Sequence, residues 1–282
     1  MQTINKLAEL RKQLHLHRKQ DQTIAMVATM GNLHEGHIAL IHRAKELADI
    51  VIATIFVNPL QFGTGEDLEK YPKTLEADKR ELQLAGCHLL FAPTDNEVYP
   101  HGRDNQTIVE VPATSNLYCG SSRPGHFQGV ATVVCKLYAM IQPDIAVFGE
   151  KDYQQLHIIR QMTQDLSINV KVIGSATERN AQGLALSSRN GYLTDEERSQ
   201  AVALYKTLQM TKSYLEQGSC DFPLLCEQAQ KRLEEADFKR DYFVIANAKT
   251  LMLAQPGDKQ LVILAAAFMG AARLIDNIVV DL

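Results

Sequence analysis

The sequence predicts an α/β protein, a parallel sheet wrapped by helices, followed by a smaller α+β region. Three observations carry this reading. Apolar, β-branched runs alternate with helix-period segments through the first two thirds of the chain. One run, residues 50–57 (IVIATIFV), is apolar almost throughout, as expected of a strand covered on both faces. After Gly174 the pattern changes to two helical segments and then strand-like runs at hairpin-like spacing.

Taken in order, residues 1–20 are amphipathic and polar, without the apolar centre of a secretion signal. Residues 23–29 read as a strand, and a glycine-bearing turn then opens a helix to about Ala48. The buried strand 50–57 follows. A charged helical segment spans about 68–85, and Gly86 ends it before a strand over 87–92. Helix 128–141, strand 144–148, helix 153–166 and strand 168–173 complete the repeat. Such strand–helix–strand units predict a Rossmann-like parallel sheet with right-handed crossovers, whose ligands lie beyond the carboxyl ends of the strands. Asp195 is expected to cap a helix over 195–217, with Glu196 and Glu197 suiting its dipole. A second helix, 222–236, precedes strands at 242–248, 260–268 and 272–280. The domains are expected to be 1–176 and 177–282.

Composition excludes several classes. The chain has 282 residues, 45% hydrophobic and 22% charged, and a formal charge of −4 that argues against non-specific nucleic-acid binding. No run approaches the ~20 apolar residues that span a bilayer, so no membrane partner is expected. The five cysteines form no C-x-x-C pair and read as reduced, mostly buried thiols of a cytoplasmic protein. Neither a G-x-x-x-x-G-K-[ST] phosphate loop nor a G-x-S-x-G elbow occurs.

Four polar turns follow strand-like runs, and a parallel sheet would bring them to one edge. The first, Met30-Gly31-Asn32-Leu33-His34-Glu35-Gly36-His37, sets two histidines three apart. An H-x-x-H pair is by itself usually a surface pair. With a strand before it and a helix opening at Glu35, both imidazoles share one side of the first turn, where unpaired N–H groups and partial positive charge favour a phosphate. The second turn (FVNPLQFG, 56–63) presents the neutral amide Gln61, which can donate and accept; a capped turn with a surface glutamine is the alternative. The third, Gly149-Glu150-Lys151-Asp152, supplies a cation, with Gln155 one helical turn on. The fourth, Leu186-Ser187-Ser188-Arg189, offers two hydroxyls and a guanidinium suited to phosphate oxygens, although simple turn chemistry would also explain it. A fifth, irregular stretch, 119–129, reads as a gating or substrate-facing loop.

Five segments in one order, TMGNLHEGH (29–37), FVNPLQFG (56–63), RPGHFQGVATVV (123–134), FGEKDYQQ (148–155) and GLALSSRN (183–190), resemble the pantoate–β-alanine ligase family along the whole chain. The histidine pair alone marks only the wider nucleotidylyltransferase superfamily. The resemblance implies an ATP-dependent condensation of pantoate with β-alanine through a pantoyl adenylate, releasing pyrophosphate and AMP. It assigns His34, His37, Lys151 and Arg189 to catalysis. ATP would be held by Met30, Gly31, Asn32, Leu33, His34, Glu35, Gly36, His37, Gly149, Glu150, Lys151, Asp152, Glu178, Leu186, Ser187, Ser188 and Arg189. Gln61 and Gln155 would bind pantoate, and Gln61 would also border β-alanine. Mg2+ is implied as ATP's companion, with no protein ligand assigned, and a homodimer is implied as well. Near Glu178 the chain departs from the family, which more often has an apolar residue there and acidic residues where Asn180 and Gln182 stand. An adenylyltransferase acting on a pantetheine-like substrate would share the histidine turn without the FVNPLQFG and RPGHF segments. A silent nucleotide-binding protein would not need all of these polar residues together.

Overall fold

The computed structural model describes residues 1–63, 68 and 71–282. The chain divides into two compact units, one of Met1–Glu150 with Gln155–Ala176, the other of Lys151–Gln154 with Thr177–Leu282.

The first unit is built on six parallel strands in the order β1-β4-β3-β2-β5-β6. These are β1 (Gln2–Ile4), β2 (Ile24–Thr29), β3 (Ile50–Ile55), β4 (Leu89–Phe91), β5 (Ile145–Gly149) and β6 (Lys171–Ser175). Between them run α1 (Leu7–Arg18), α2 (Glu35–Leu47), α3 (Leu75–Leu84), three short turns α4 (Asp95–Val98), α5 (Pro112–Ser115) and α6 (Cys119–Ser122), then α7 (His126–Ile141) and α8 (Tyr153–Asp165). Strands β2 and β3 are almost wholly buried, because helices cover both faces of the sheet. Ala25, Val27, Val51 and Ala53 pack with Ile41 and Ala44 of α2 and Leu82 of α3. Helix α7 is buried nearly all round, as its apolar sequence demands. From β2 the sheet grows through β3 to β4 on one side and through β5 to β6 on the other. The chain reverses direction across the sheet at β2/β5, where an open α/β sheet leaves a crevice.

The second unit pairs α9 (Asp195–Gln200), α10 (Val202–Glu216) and α11 (Phe222–Glu235) with an antiparallel sheet of β7 (Lys239–Asn247), β8 (Gln260–Met269) and β9 (Ala272–Asp281). Its core joins Leu204, Leu208 and Leu233 of the helices to Phe243, Ile263 and Leu274 of the strands.

Several expected boundaries move. The charged helix anticipated from residue 68 starts at Leu75, because Pro72 and the residue before it disfavour helix; residues 69 and 70 of that expectation lie outside the described residues. Thr194, not Asp195, is the N-cap of α9, its hydroxyl accepting from the Glu197 N–H while the Glu197 carboxylate accepts from the Thr194 N–H. The helix expected over 195–217 is interrupted at Ala201. The strand expected at 168–173 pairs only from Lys171. The strand β1 was not anticipated, being three residues long. All five cysteines are free thiols, but Cys220 is exposed rather than buried. Burial pushes the Cys87 and Cys226 thiols up to about 11. Among the described residues no helix is long and apolar enough to cross a membrane.

Candidate active site

In the first unit, the turns that follow β2, β3 and β5 leave the carboxyl ends of neighbouring strands. The β2 turn begins with Thr29, whose hydroxyl donates to the Thr54 carbonyl (2.8 Å) and accepts from the Gly31 N–H (3.2 Å). Gly31 takes a positive φ of 85°, and a Cβ there would stand 3.0 Å from the Asp78 carboxylate. That closeness has a purpose. Asp78, buried on α3, accepts the N–H groups of Asn32 (3.1 Å) and Leu33 (2.9 Å) and the Thr74 hydroxyl (3.1 Å). The turn is thereby tied to α3 by charge-assisted bonds.

Helix α2 then opens with a capping box made of imidazoles. His34 is the N-cap, its Nδ1 accepting from the Gly36 N–H (3.1 Å); His37 Nδ1 accepts from the His34 N–H (3.3 Å). Ser or Thr with Glu usually fills these two roles. The rings lie 4.1 Å apart between centroids, so the expected shared side of the first turn is realised. These backbone donors assign Nδ1 of both rings the acceptor role, which leaves Nε2 to carry the proton of a neutral imidazole.

The β3 turn is knitted more tightly still. Asn58 is buried, and Tyr99 Oη and the Leu60 N–H donate to its Oδ1 at 2.7 and 3.3 Å. Its Nδ2 donates to the Gly129 carbonyl and to Gln61 Oε1, both at 3.1 Å. Gln61 Nε2 donates in turn to Met30 Sδ (3.0 Å), joining this turn to the histidine turn. The Gln61 carbonyl accepts from His126 Nδ1 (2.8 Å), and Gly129 of α7 lets the Leu60 backbone approach so closely that a Cβ would meet its carbonyl oxygen at 2.2 Å. The 119–129 stretch, expected as a gating loop, therefore holds α6, the start of α7 and contacts that fasten the Gln61 turn. Burial, and then Asp95, pushes the Tyr99 phenol above its usual range, which keeps it a donor. Beyond β5, Gln155 stands half-buried in the first turn of α8.

The second unit holds the remaining groups. Lys151 is mostly buried, 4.0 Å from Asp152, and its carbonyl accepts from Asn277 Nδ2 (2.9 Å). It lines one pocket with Ser187, Arg189, Asn190, Arg273 and Asp276. Residues 178–186 form a small hairpin in which Asn180 Oδ1 accepts from Gln182 N (3.0 Å) and Leu184 N (2.9 Å), and the Leu186 N–H donates to the Glu178 carbonyl (2.9 Å). Asn180 thus closes the turn with its own amide. Arg179 makes a two-pronged pair with the buried Asp276 (2.6 and 2.8 Å) and stacks 3.5 Å over Tyr205. Ser187 caps the 3-10 turn Ser188–Tyr192 by accepting from the Arg189 N–H (3.3 Å), and the Arg189 side chain is exposed. Among the described residues no three His, Cys, Asp or Glu side chains group as a metal site.

Asp78, Asn58, Tyr99 and the Arg179–Asp276 pair were not singled out from the sequence. Asp78 left a signal: it sits four residues before the buried Leu82, a charge on the apolar face of an amphipathic helix.

A parallel sheet whose strand order reverses at β2/β5, with a helix start there that carries two imidazoles, is the architecture of α/β proteins that take nucleotide phosphates at strand ends. The N–H groups expected to be unpaired in this turn are instead taken at Asn32, Leu33, His34 and Gly36 by Asp78 and the two rings, so the imidazoles and the helix dipole remain as what the turn offers a phosphate. Comparison with known proteins narrows the class. The chain belongs to the pantoate–β-alanine ligase family, whose model matches residues 2–279. It is 53% identical to a pantothenate synthetase of Marinomonas sp. over all of both chains, and 55% identical to that of Ectopseudomonas mendocina over 100% of this chain and 99% of the relative. Among solved structures, it is similar to pantothenate synthetase from Thermus thermophilus (44% identity, TM-score 0.89, 99% of each chain). It is also similar to the Francisella tularensis pantoate-beta-alanine ligase, solved in complex with beta-gamma ATP and beta-alanine (35% identity, TM-score 0.80, 99% of this chain and 97% of that one). The resemblance carried by the five motifs and the Rossmann-like expectation both hold, and the family is one of ligases.

Proposed function

We propose that the protein condenses pantoate with β-alanine at the expense of ATP. Pantoate carboxylate attacks the α-phosphate, giving pantoyl adenylate and pyrophosphate; the β-alanine amine then attacks the activated carbonyl, giving pantothenate and AMP. The observation that carries this reading is the contact of Gln61 with Met30, which ties a neutral amide suited to a hydroxy acid to the histidine turn suited to a phosphate. The Francisella complex supports ATP and β-alanine as two of the substrates.

In this reading phosphoryl transfer asks the protein for position and charge more than covalent chemistry. His34 and His37 donate through Nε2 to phosphoryl oxygens, and Lys151 and Arg189 balance the charge that develops there. The turn from Met30 to His37, Gly149 to Asp152, Glu178 and Leu186 to Arg189 hold ATP. Gln61 and Gln155 bind pantoate, and Gln61 borders β-alanine. Mg2+ accompanies ATP, bound mainly through phosphate oxygens and water, with no protein ligand assigned. The active form is a cytoplasmic homodimer.

The test is an AMP-release assay with Mg2+-ATP, pantoate and β-alanine, each omitted in turn. AMP and pyrophosphate should appear only with the complete mixture at multiple turnovers. Release of ADP, or AMP formation indifferent to pantoate, would sink the assignment. For Gln61→Ala, calorimetry should show weaker pantoate binding with ATP binding largely kept; unchanged pantoate affinity would refute that role.

A further inference from the structure

A glutamine amide has two unlike ends, and which end meets a ligand decides whether it recognises an acceptor or a donor. At Gln61 the choice is made by its neighbours. Asn58 Oδ1 faces two donors, the Tyr99 hydroxyl (2.7 Å) and the Leu60 N–H (3.3 Å). Reversing the Asn58 amide would set its N–H2 group against the Leu60 N–H and its oxygen against the Gly129 carbonyl, so its Nδ2 must lie on the other side, where the carbonyl of Gly129 and Gln61 Oε1 accept from it. With Oε1 engaged there, the Gln61 nitrogen is turned toward Met30, whose thioether is a weak acceptor and occupies one N–H at most. Tyr99 is buried, and because the Leu60 N–H marks the Asn58 atom beside it as the oxygen, the Tyr99 hydroxyl donates there and starts the series.

We infer that Tyr99 is a positioning residue for acid recognition: through Asn58 it orients the Gln61 amide so that its N–H2 end is presented to the acid substrate. The substrate atom that Gln61 recognises is then an acceptor, a carboxylate or hydroxyl oxygen. This rests on the assignment of pantoate as substrate and adds a direction to it.

The experiment is steady-state AMP release on the intact protein, varying pantoate and ATP separately, with thermal unfolding alongside. Tyr99→Phe keeps the ring and removes the donor; it should raise the KM for pantoate about tenfold while the KM for ATP and the unfolding midpoint stay near wild type. Gln61→Glu keeps an oxygen for Asn58 Nδ2 and deletes the N–H2 group; it should abolish measurable pantoate binding by calorimetry. The inference fails if Tyr99→Phe leaves the pantoate KM within about twofold of wild type, or if it moves both KM values and kcat together with the midpoint, as a purely structural residue would. Should Tyr99→Phe not fold, Gln61→Glu decides alone: pantoate affinity within about threefold of wild type would mean that the oxygen end faces the substrate. A wild-type protein that forms no pantoate-dependent AMP would refute the substrate assignment instead, a separate outcome.

Discussion

Gln61 is buried with both ends of its amide held, whereas Arg189 stands exposed on a loop of the second unit with its backbone N–H taken by the Ser187 hydroxyl. The two groups carry different kinds of information. A neutral amide discriminates only if its direction is fixed, so it is surrounded by Asn58, Tyr99 and Gly129. A guanidinium donates around its whole rim and its charge acts over several ångströms, so it needs a place more than an orientation. In the function proposed above, specificity for the acid would rest on a knitted turn, and charge for the phosphates on exposed groups held less tightly.

If that division holds, the largest losses come from removing charge-stabilising donors. His37→Ala and Lys151→Ala should each slow adenylate formation by about two orders of magnitude, read as the pyrophosphate burst in single-turnover experiments. A rate within about threefold of wild type for either would place the chemistry elsewhere. Arg189→Lys, which keeps charge and loses the planar fork, should retain much more of the rate than Arg189→Ala; equal losses would mean that orientation matters on this loop too.

Next in size is the scaffold under the charged loop. Asp276 is buried and its carboxylate serves both arms of Arg179, which in turn stacks on Tyr205. Asp276→Ala strands the Arg179 guanidinium and should cost about 3 kcal/mol of stability. Unfolding that is unchanged in Asp276→Ala would show that the hairpin at 178–186 stands without the pair. The corresponding cut in the first unit is Asp78→Asn. An amide can accept with one end only, so one of the Asn32 and Leu33 N–H groups is opposed by an N–H2 group, at a cost of about 2 kcal/mol with weaker ATP binding by calorimetry. Full ATP affinity in Asp78→Asn would sever the turn's geometry from nucleotide binding.

These residues also mark how far the sequence could be read. The strands β2, β3 and β5 and the helix from Glu35 follow from local patterns, since burial on both faces writes continuous apolar runs and a helix start writes its own turn. The four turns were visible because they interrupt those runs. Their supports were not. Asp78 reaches Asn32 across 46 positions and Tyr99 reaches Asn58 across 41, so the pairing exists only once the sheet has brought α3 and the α4 turn into place. Boundaries failed where tertiary contact overrules propensity: Ala201 has helical backbone angles, yet it separates α9 from α10. Three-residue β1 has no period to read, and pairing with β4 alone makes it a strand.

The smallest effect tests the histidine turn itself, where cap and chemistry share the same rings. His34 Nδ1 and His37 Nδ1 both accept backbone N–H groups, so the two rings should be Nε2-protonated tautomers when neutral, visible as distinct 15N shifts of the ring nitrogens. An Nδ1-protonated form at either ring would undo the cap and with it the donor role assigned to Nε2. Asn is as good a cap as any side chain, so His34→Asn should change stability by less than about 0.5 kcal/mol. Its amide cannot reach as far as Nε2, so adenylate formation should still slow. Loss of stability together with rate would mean that His34 serves the helix and not the phosphate. Loss of rate alone would separate the two roles within a single side chain, and put His34 with Gln61 among the groups whose direction, rather than charge, is held by the turn around them.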